Sequence, residues 1–337
     1  MKAWVPLLAM VISWLVARRL SRAGGRLLDR PNERSLHAAP VPRGGGAGIL
    51  LGLAVAWVLI PDVPPQLNWI VLLGLGLGAF SLLDDLSGLP AWLRFVVQGI
   101  LAAVLVGQGL WTGQISLPGM TWTLGPGLAM GLSWALLMWM TNLYNFMDGM
   151  DGFAGGMTVI GFSTLALLGW QAGSPAYALV CASIAAGAAG FLPFNFPPAR
   201  LFMGDVGSAA LGFMAGGLLL WADMAGLFPL WVGLVVFAPF VVDATVTLLR
   251  RLFRGERVWE AHRTHYYQRL VQAGWGHRKT VLREYAMMLL CAAAAVMAVH
   301  AASLWQWVIL FGMMLLFSGL ILGLEVFLQR RGGRHDR

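Results

Sequence analysis

The chain has 337 residues, 58% of them hydrophobic and only 11% charged, with a mean hydropathy of +0.73. One soluble core cannot hide that much apolar length, so a water-soluble globular protein is excluded and an integral membrane protein follows. The net charge of +8 reads as membrane topology and not as nucleic-acid binding, because the Lys and Arg cluster between apolar runs.

A spanning helix needs about 20 mainly apolar residues. Eleven such windows follow one another, near 3–17, 45–61, 68–83, 91–110, 126–142, 153–170, 175–193, 206–223, 227–249, 284–302 and 304–328. The expected fold class is an all-α polytopic bundle of 10–11 transmembrane helices. It forms one membrane domain over residues 1–330, with a basic tail at 331–337. If the first window runs from outside to inside, 22 of the 23 Lys and Arg fall on the inner side and only Lys2 lies outside, so the N-terminus is expected outside. Lys2 before an apolar run imitates a secretory leader. No small-residue cleavage site follows, however, and Arg18, Arg19 and Arg22 come directly after the run, so an uncleaved anchor is expected.

Further along, Gly44 to Gly46 and Gly48 lack the Gly-Lys-Ser/Thr of a phosphate loop, and Gly74, Gly76 and Gly78 are expected to let helices approach closely. The stretch from Trp111 to Gly125 alternates polar and apolar residues and predicts a small hairpin at the outer interface, with Trp111 and Trp122 as belt residues. Cys181 and Cys291 fall inside windows and are expected to be buried small hydrophobes.

The acids stand out against this background because they fall where windows end. Asp84 and Asp85 close a helix whose C-terminal dipole is already negative. They either hold a divalent cation, hard oxygen ligands selecting magnesium or manganese over zinc, or form a solvated pair at a loop start. Asn142, Asn145, Asp148 and Asp151 place two carboxamides and two acids in ten residues without a basic partner. That density suits a nucleobase, a ribose or a metal, although Asp151 alone reads equally as a helix N-cap. Asp205, after Asn195, Arg200 and Phe202, precedes a helix and is either a cap or a ligand, while Phe202 can stack on a base. Asp243 lies near the inner end of a window, where an acid is costly unless partnered. In the Arg-rich loop, His262 and His265 are spaced i and i+3, which on a helix gives them one face beside Arg263. Phosphate contact or proton transfer is their expected role, and zinc is not, for want of a third ligand at suitable spacing.

Taken in order, five regions resemble the polyprenyl-phosphate N-acetylhexosamine-1-phosphate transferases of the glycosyltransferase family 4 type. They are Asp29 through His37, Pro40, Pro42 and Gly44 to Gly46; Leu83-Asp84-Asp85; Asn142 to Gly152; Asn195 to Gly207; and the histidine loop. The resemblance implies transfer of a sugar 1-phosphate from a UDP-N-acetylhexosamine to undecaprenyl or another polyprenyl phosphate, with release of UMP. It implies catalytic roles for Asp84, Asp85 and His265, with Mg2+ (or Mn2+) held by Asp85 and Asp205. The nucleotide side maps to Asn145, Asp148, Asp151, Asn195 and Phe202, and phosphate-side basic residues to His37, Arg43, His262 and Arg263. The family often carries a tight histidine cluster. Here His262-Arg-Thr-His265 stands instead, which resembles the branch that initiates O-antigen or other surface polysaccharides. The implied setting is a bacterial inner membrane with the active site on the cytoplasmic face, and a homodimer is compatible with the resemblance. The rival from another class is a proton-coupled transporter, whose acids would be expected at mid-span.

Overall fold

The computed structural model describes residues 2–22, 28–29, 40–257 and 262–332. Among them the chain forms thirteen α-helices: α1 (Trp4–Leu20), α2 (Gly46–Leu59), α3 (Pro65–Ser87), α4 (Ala91–Gly107), α5 (Pro126–Phe146), α6 (Phe153–Gln171), α7 (Pro175–Asn195), α8 (Asp205–Met224), α9 (Leu230–Val236), α10 (Ala238–Phe253), α11 (Tyr266–Leu270), α12 (Gly276–His300) and α13 (Ser303–Gly332). A π-helical turn (Val271–Trp275) and two short antiparallel pairs complete the described structure, β1 (Leu28–Asp29) with β2 (Val41–Pro42) and β3 (Gln114–Leu117) with β4 (Met120–Thr123). The second pair is the hairpin expected between Trp111 and Gly125. Buried Asp223 ties it to the bundle by accepting the Thr112 hydroxyl (2.5 Å) and the Leu230 N–H (2.8 Å).

All eleven apolar windows appear as helices, which makes the chain an all-α polytopic membrane protein. Six helices are long and apolar enough to cross a bilayer by themselves, or seven if one bent pair counts as a span. That pair corrects the straight helix expected over 227–249. The segment breaks into α9 and α10, which meet at 86°. Pro239 stands in the first turn of α10, where its missing N–H costs nothing, so a helix restarts there instead of continuing.

The bundle is organised around α8. Of its apolar window 94% is buried inside the protein, against 6% for α13, whose large apolar side chains such as Leu304, Trp305 and Leu315 face outward. In a bilayer the apolar exterior faces lipid, so close packing takes over from hydrophobic burial as the force between helices. Gly212 shows how this works: a Cβ there would lie 2.4 Å from the Met140 carbonyl oxygen and 2.9 Å from Thr141 Cα, both backbone atoms of α5. Gly212→Val is therefore expected to force α5 and α8 apart, at about 1–3 kcal/mol, seen as a lowered thermal midpoint in detergent. Gly74 and Gly78 likewise meet Met214 and Leu50 closely, but Gly76 faces open space, so the expected close-packing role does not extend to it. Cys181 and Cys291 are buried free thiols, as expected.

The long arm formed by α10 to α13 is held at one end by polar contacts. Glu325 of α13 accepts hydrogen bonds from Arg250 (2.6 Å), Arg269 (2.6 and 3.0 Å) and the Tyr266 hydroxyl (2.9 Å). Both guanidinium groups also lie 5.3 Å from the Tyr266 ring centre. These contacts fix the α10–α11 connection, which carries the two histidines.

Candidate active site

Four separate pieces of chain meet at the pole that carries the Arg-rich loop: the end of α3, the α5–α6 connection, the start of α8 and the α10–α11 connection. Asp84 and Asp85 belong to the last turn of α3 and are 5% and 6% exposed. Apolar residues hold the rest of that helix in the bundle, so the two acids are carried to the boundary and covered there. Arg94 of α4 joins them to α8, its Nη1 lying 3.4 Å from Asp84 Oδ2 and 2.9 Å from Asp205 Oδ2. On the other side Arg43 pairs with Asp85 (Nη1 to Oδ1, 3.4 Å) and also donates to its carbonyl oxygen. The Nε of Arg43 is buried and has no hydrogen-bond partner among the described residues.

Asp85 Oδ2 accepts the Val206 N–H at 3.4 Å, so the acid pair and the start of α8 share one cleft. Gly204 makes that approach feasible. Its φ of 77° is left-handed, and a Cβ there would lie 3.0 Å from Asp85 Oδ2 and 3.1 Å from Gly44 N. Phe202, half-buried, staples the first loop to this point: its N–H donates to Pro42 O (2.8 Å) and its carbonyl accepts from Gly45 N (2.9 Å).

The α5–α6 connection closes the next side. Asn145 Oδ1 accepts from Ser208 Oγ at 3.3 Å, tying it to α8. Burial pushes the Asp148 carboxyl well above the usual carboxylate range, the neighbouring Asp205 and Asp85 push it further, and the Gly204 amide facing it pulls the other way. Asp148 therefore looks onto the same acidic cleft.

Asp151 and Asn195 are engaged differently. Asp151 Oδ2 accepts the Ala199 N–H (3.0 Å), and its Oδ1 lies 3.1 Å from His277 Nδ1. The N-cap of α6 is Gly152, without a side-chain cap, so Asp151 does not cap that helix. Asn195 accepts the Gly152 N–H (3.0 Å) and donates to Leu201 O (3.1 Å). Both residues thus hold loop to loop. Asp205 also makes no capping bond; it is the first residue of α8, behind Gly204.

The two histidines are not on a helix, contrary to the shared helical face that their spacing suggested. His262 lies in chain without regular secondary structure and His265 precedes α11. Their rings nevertheless sit 4.7 Å apart, because Asp243 grips the chain between α10 and α11. It accepts the N–H groups of Tyr266 (3.0 Å) and Tyr267 (3.1 Å) and the Thr247 hydroxyl (3.0 Å), and its Oδ1 lies 3.2 Å from His265 Nδ1. Tyr267 in turn donates to Phe146 O at 2.9 Å and joins this loop to the α5–α6 connection. Burial, then the neighbouring His265 and Arg251, lowers the His262 pKa to about 4, so it stands neutral at pH 7. Arg263 is exposed, and His37 lies outside the described residues.

Two contributors were missed in the sequence, Arg94 and His277; Asp243 was expected to need a partner in a neighbouring helix or the basic loop, and it is the basic loop that it grips. Arg94 had no signal beyond being a lone cation beside the acid pair. His277 had none, since a single histidine in a basic segment is unremarkable.

Two carboxylates suffice for a magnesium ion that also takes phosphate oxygens and water. Asp85 and Asp205 supply hard donors at one cleft and fit that requirement, although no group of three His, Cys, Asp or Glu among the described residues forms a ready-made cage.

The model of glycosyl transferase family 4 matches residues 67–223, which takes in the acid pair, the α5–α6 connection and all but the last residue of α8. A probable undecaprenyl-phosphate N-acetylglucosaminyl 1-phosphate transferase of Bacillus subtilis (strain 168) is 29% identical over 325 residues, 94% of this chain and 89% of that protein. The decaprenyl-phosphate N-acetylglucosaminephosphotransferase of Mycobacterium tuberculosis (strain CDC 1551 / Oshkosh) is 30% identical over 319 residues, 84% and 79% of the two chains. A phospho-N-acetylmuramoyl-pentapeptide-transferase of Heliobacterium modesticaldum (strain ATCC 51547 / Ice1) is 32% identical over 301 residues, 83% and 90%.

Proposed function

The chain belongs to glycosyl transferase family 4, among the polyprenyl-phosphate hexosamine-1-phosphate transferases, and from that membership we propose that it moves an N-acetylhexosamine 1-phosphate from a UDP-sugar to undecaprenyl phosphate. The observation that supports this most directly is the gathering of three acids at one cleft, Asp84 and Asp205 sharing Arg94 while Asp85 pairs with Arg43 and accepts the Val206 N–H. It places acidic and basic groups together at the end of membrane helices, where a lipid phosphate and a water-soluble nucleotide can both arrive. Mid-span carboxylates of the transporter kind do not make up this cluster.

In the proposed reaction an oxygen of the lipid phosphate bonds to the sugar-bearing phosphorus, and the bond from that phosphorus to the bridging oxygen breaks, releasing UMP. Both reactants are anions, so positioning and charge neutralisation are what the protein must supply. Asp85 and Asp205 would hold Mg2+, or Mn2+, which when bound neutralises charge on the diphosphate. Arg43, whose side chain is partly exposed beside Asp85, offers positive charge to a phosphate. Asp84 orients or deprotonates the lipid phosphate, or attacks first in a two-step route. Asn145, Asp148 and Phe202 line the nucleotide side, with Asp151 and Asn195 holding its walls. His265 transfers a proton or contacts phosphate, beside neutral His262 and exposed Arg263, and His37 completes the basic first loop.

The Lys and Arg distribution supports an external N-terminus and a cytoplasmic site in a bacterial inner membrane. The open His262–His265 spacing, in place of a tight cluster, supports a role in starting O-antigen or another surface polysaccharide. To test this, the purified chain is incubated with undecaprenyl phosphate, Mg2+ and a panel of UDP-N-acetylhexosamines, and UMP is measured. UMP release that requires the lipid phosphate is expected with one of the sugars, UDP-N-acetylglucosamine being the first choice. No release with any of them would defeat the proposal.

A further inference from the structure

Resting on the reading of His265 as an acting residue, we infer that Asp243 is the positioning residue of an Asp–His pair, setting the imidazole so that His265 Nε2 presents its lone pair to the reaction. Asp243 is 8% exposed and His265 3%. The carboxylate can only accept, and each of its other partners among the described residues is a donor: the Tyr266 and Tyr267 N–H groups and the Thr247 hydroxyl. The fourth group facing it is His265 Nδ1 at 3.2 Å, placed to donate a ring proton to the carboxylate, while the same side chain also faces the Gln268 N–H in the capping box of α11. In a neutral imidazole that donation leaves Nε2 as the acceptor, and Nε2 has no hydrogen bond to any described residue.

The ring is also locked in rotation. Tyr267 stacks on one side with centroids 5.9 Å apart, Phe146 stacks at 6.1 Å, and His262 packs at 4.7 Å. Phe146 is the last residue of α5, so the locked ring borders the wall that carries Asn145 and Asp148. Asp243 itself sits on α10, whose direction is set by the 86° break from α9. The break thus brings an acid of one apolar segment under the loop that follows it. A merely structural Asp243 would hold the two backbone N–H groups and need no imidazole among its partners.

In Asp243→Asn the side-chain NH2 can face Nδ1, which favours the opposite tautomer and takes the lone pair from Nε2. The full-length protein in nanodiscs is assayed for UMP release as the single variants Asp243→Asn and His265→Ala and as the double variant. A drop in kcat on the order of 10²-fold is expected for Asp243→Asn, with KM for the UDP-sugar within about twofold. In the His265→Ala background the same change is expected to cost nothing further. A second measurement needs no variant at Asp243: 15N histidine spectra of the wild type at pH 8, with His265 assigned by its loss in His265→Ala, should show protonated Nδ1 and unprotonated Nε2. A further loss in the double variant, normal turnover in Asp243→Asn, or an Nε2–H tautomer in the wild type overturns the inference. Normal turnover in His265→Ala overturns the reading on which it rests and the inference with it, while an inactive wild type defeats the proposed function and leaves the tautomer to decide the pair.

Discussion

Exchanging Asp85 or Asp205 for Asn is expected to lower kcat by on the order of 10³-fold, about 4 kcal/mol, while the thermal midpoint in detergent stays level or rises. The two halves of that expectation come from the same geometry. Asp84, Asp85 and Asp205 lie close enough to share Arg94 and the start of α8, with Asp148 looking onto them. Four carboxylates around two arginines repel one another in the resting protein, so removing one charge relieves the fold. Asn keeps the shape and the hydrogen-bond acceptor of Asp but loses the anionic oxygen that would hold a cation. Sites built for function commonly carry this kind of cost in stability. Both variants should bind Mn2+ more weakly, measured by electron paramagnetic resonance titration in the absence of substrate. Turnover within about tenfold of the wild type in either variant would remove that residue from the metal assignment. Loss of activity together with a collapsed thermal midpoint would make it structural.

Much of this cleft was legible in the primary structure because its acids are exceptions to a local rule. In an apolar chain, an Asp at the end of a window is conspicuous, and Asp84, Asp85, Asp148 and Asp205 all announce themselves that way. The hairpin between Trp111 and Gly125 was legible for a similar reason, since alternation is a local signal. What stayed hidden depends on long-range placement. Arg94 reaches Asp205 across 111 positions, and His277 reaches Asp151 across 126. Hydropathy reports how apolar a segment is and not which way it points, so the break between α9 and α10 was invisible, although Pro239 marked the place. The i,i+3 spacing of His262 and His265 suggested a helix and led to the right neighbours through the wrong geometry. Their rings meet because Asp243 grips the chain after them, a contact that no periodicity encodes.

Replacing His265 with Ala should reduce kcat by on the order of 10³-fold, within the range for loss of a positioned acid–base group, with the protein still folded. The ring accepts no structural hydrogen bond on Nε2, and three of the four donors that face Asp243 remain when it is removed. The α10–α11 connection also keeps its second anchor at Glu325, which takes Arg250, Arg269 and Tyr266 without using the histidine. The stacked neighbours Phe146 and Tyr267 belong to different segments and still meet through the Tyr267 hydroxyl and Phe146 O. A thermal midpoint within a few degrees of the wild type is therefore expected beside the large kinetic loss. His262 should not substitute, because burial beside a second imidazole and Arg251 lowers its pKa to about 4. Its ring Nδ1 is also within 2.9 Å of the Thr264 hydroxyl. His262→Ala is accordingly expected to cost less than His265→Ala in the same UMP assay. Equal losses would mean that the two rings act as one unit, and near-normal turnover in His265→Ala would leave the buried Asp243–His265 contact as a brace for the loop alone.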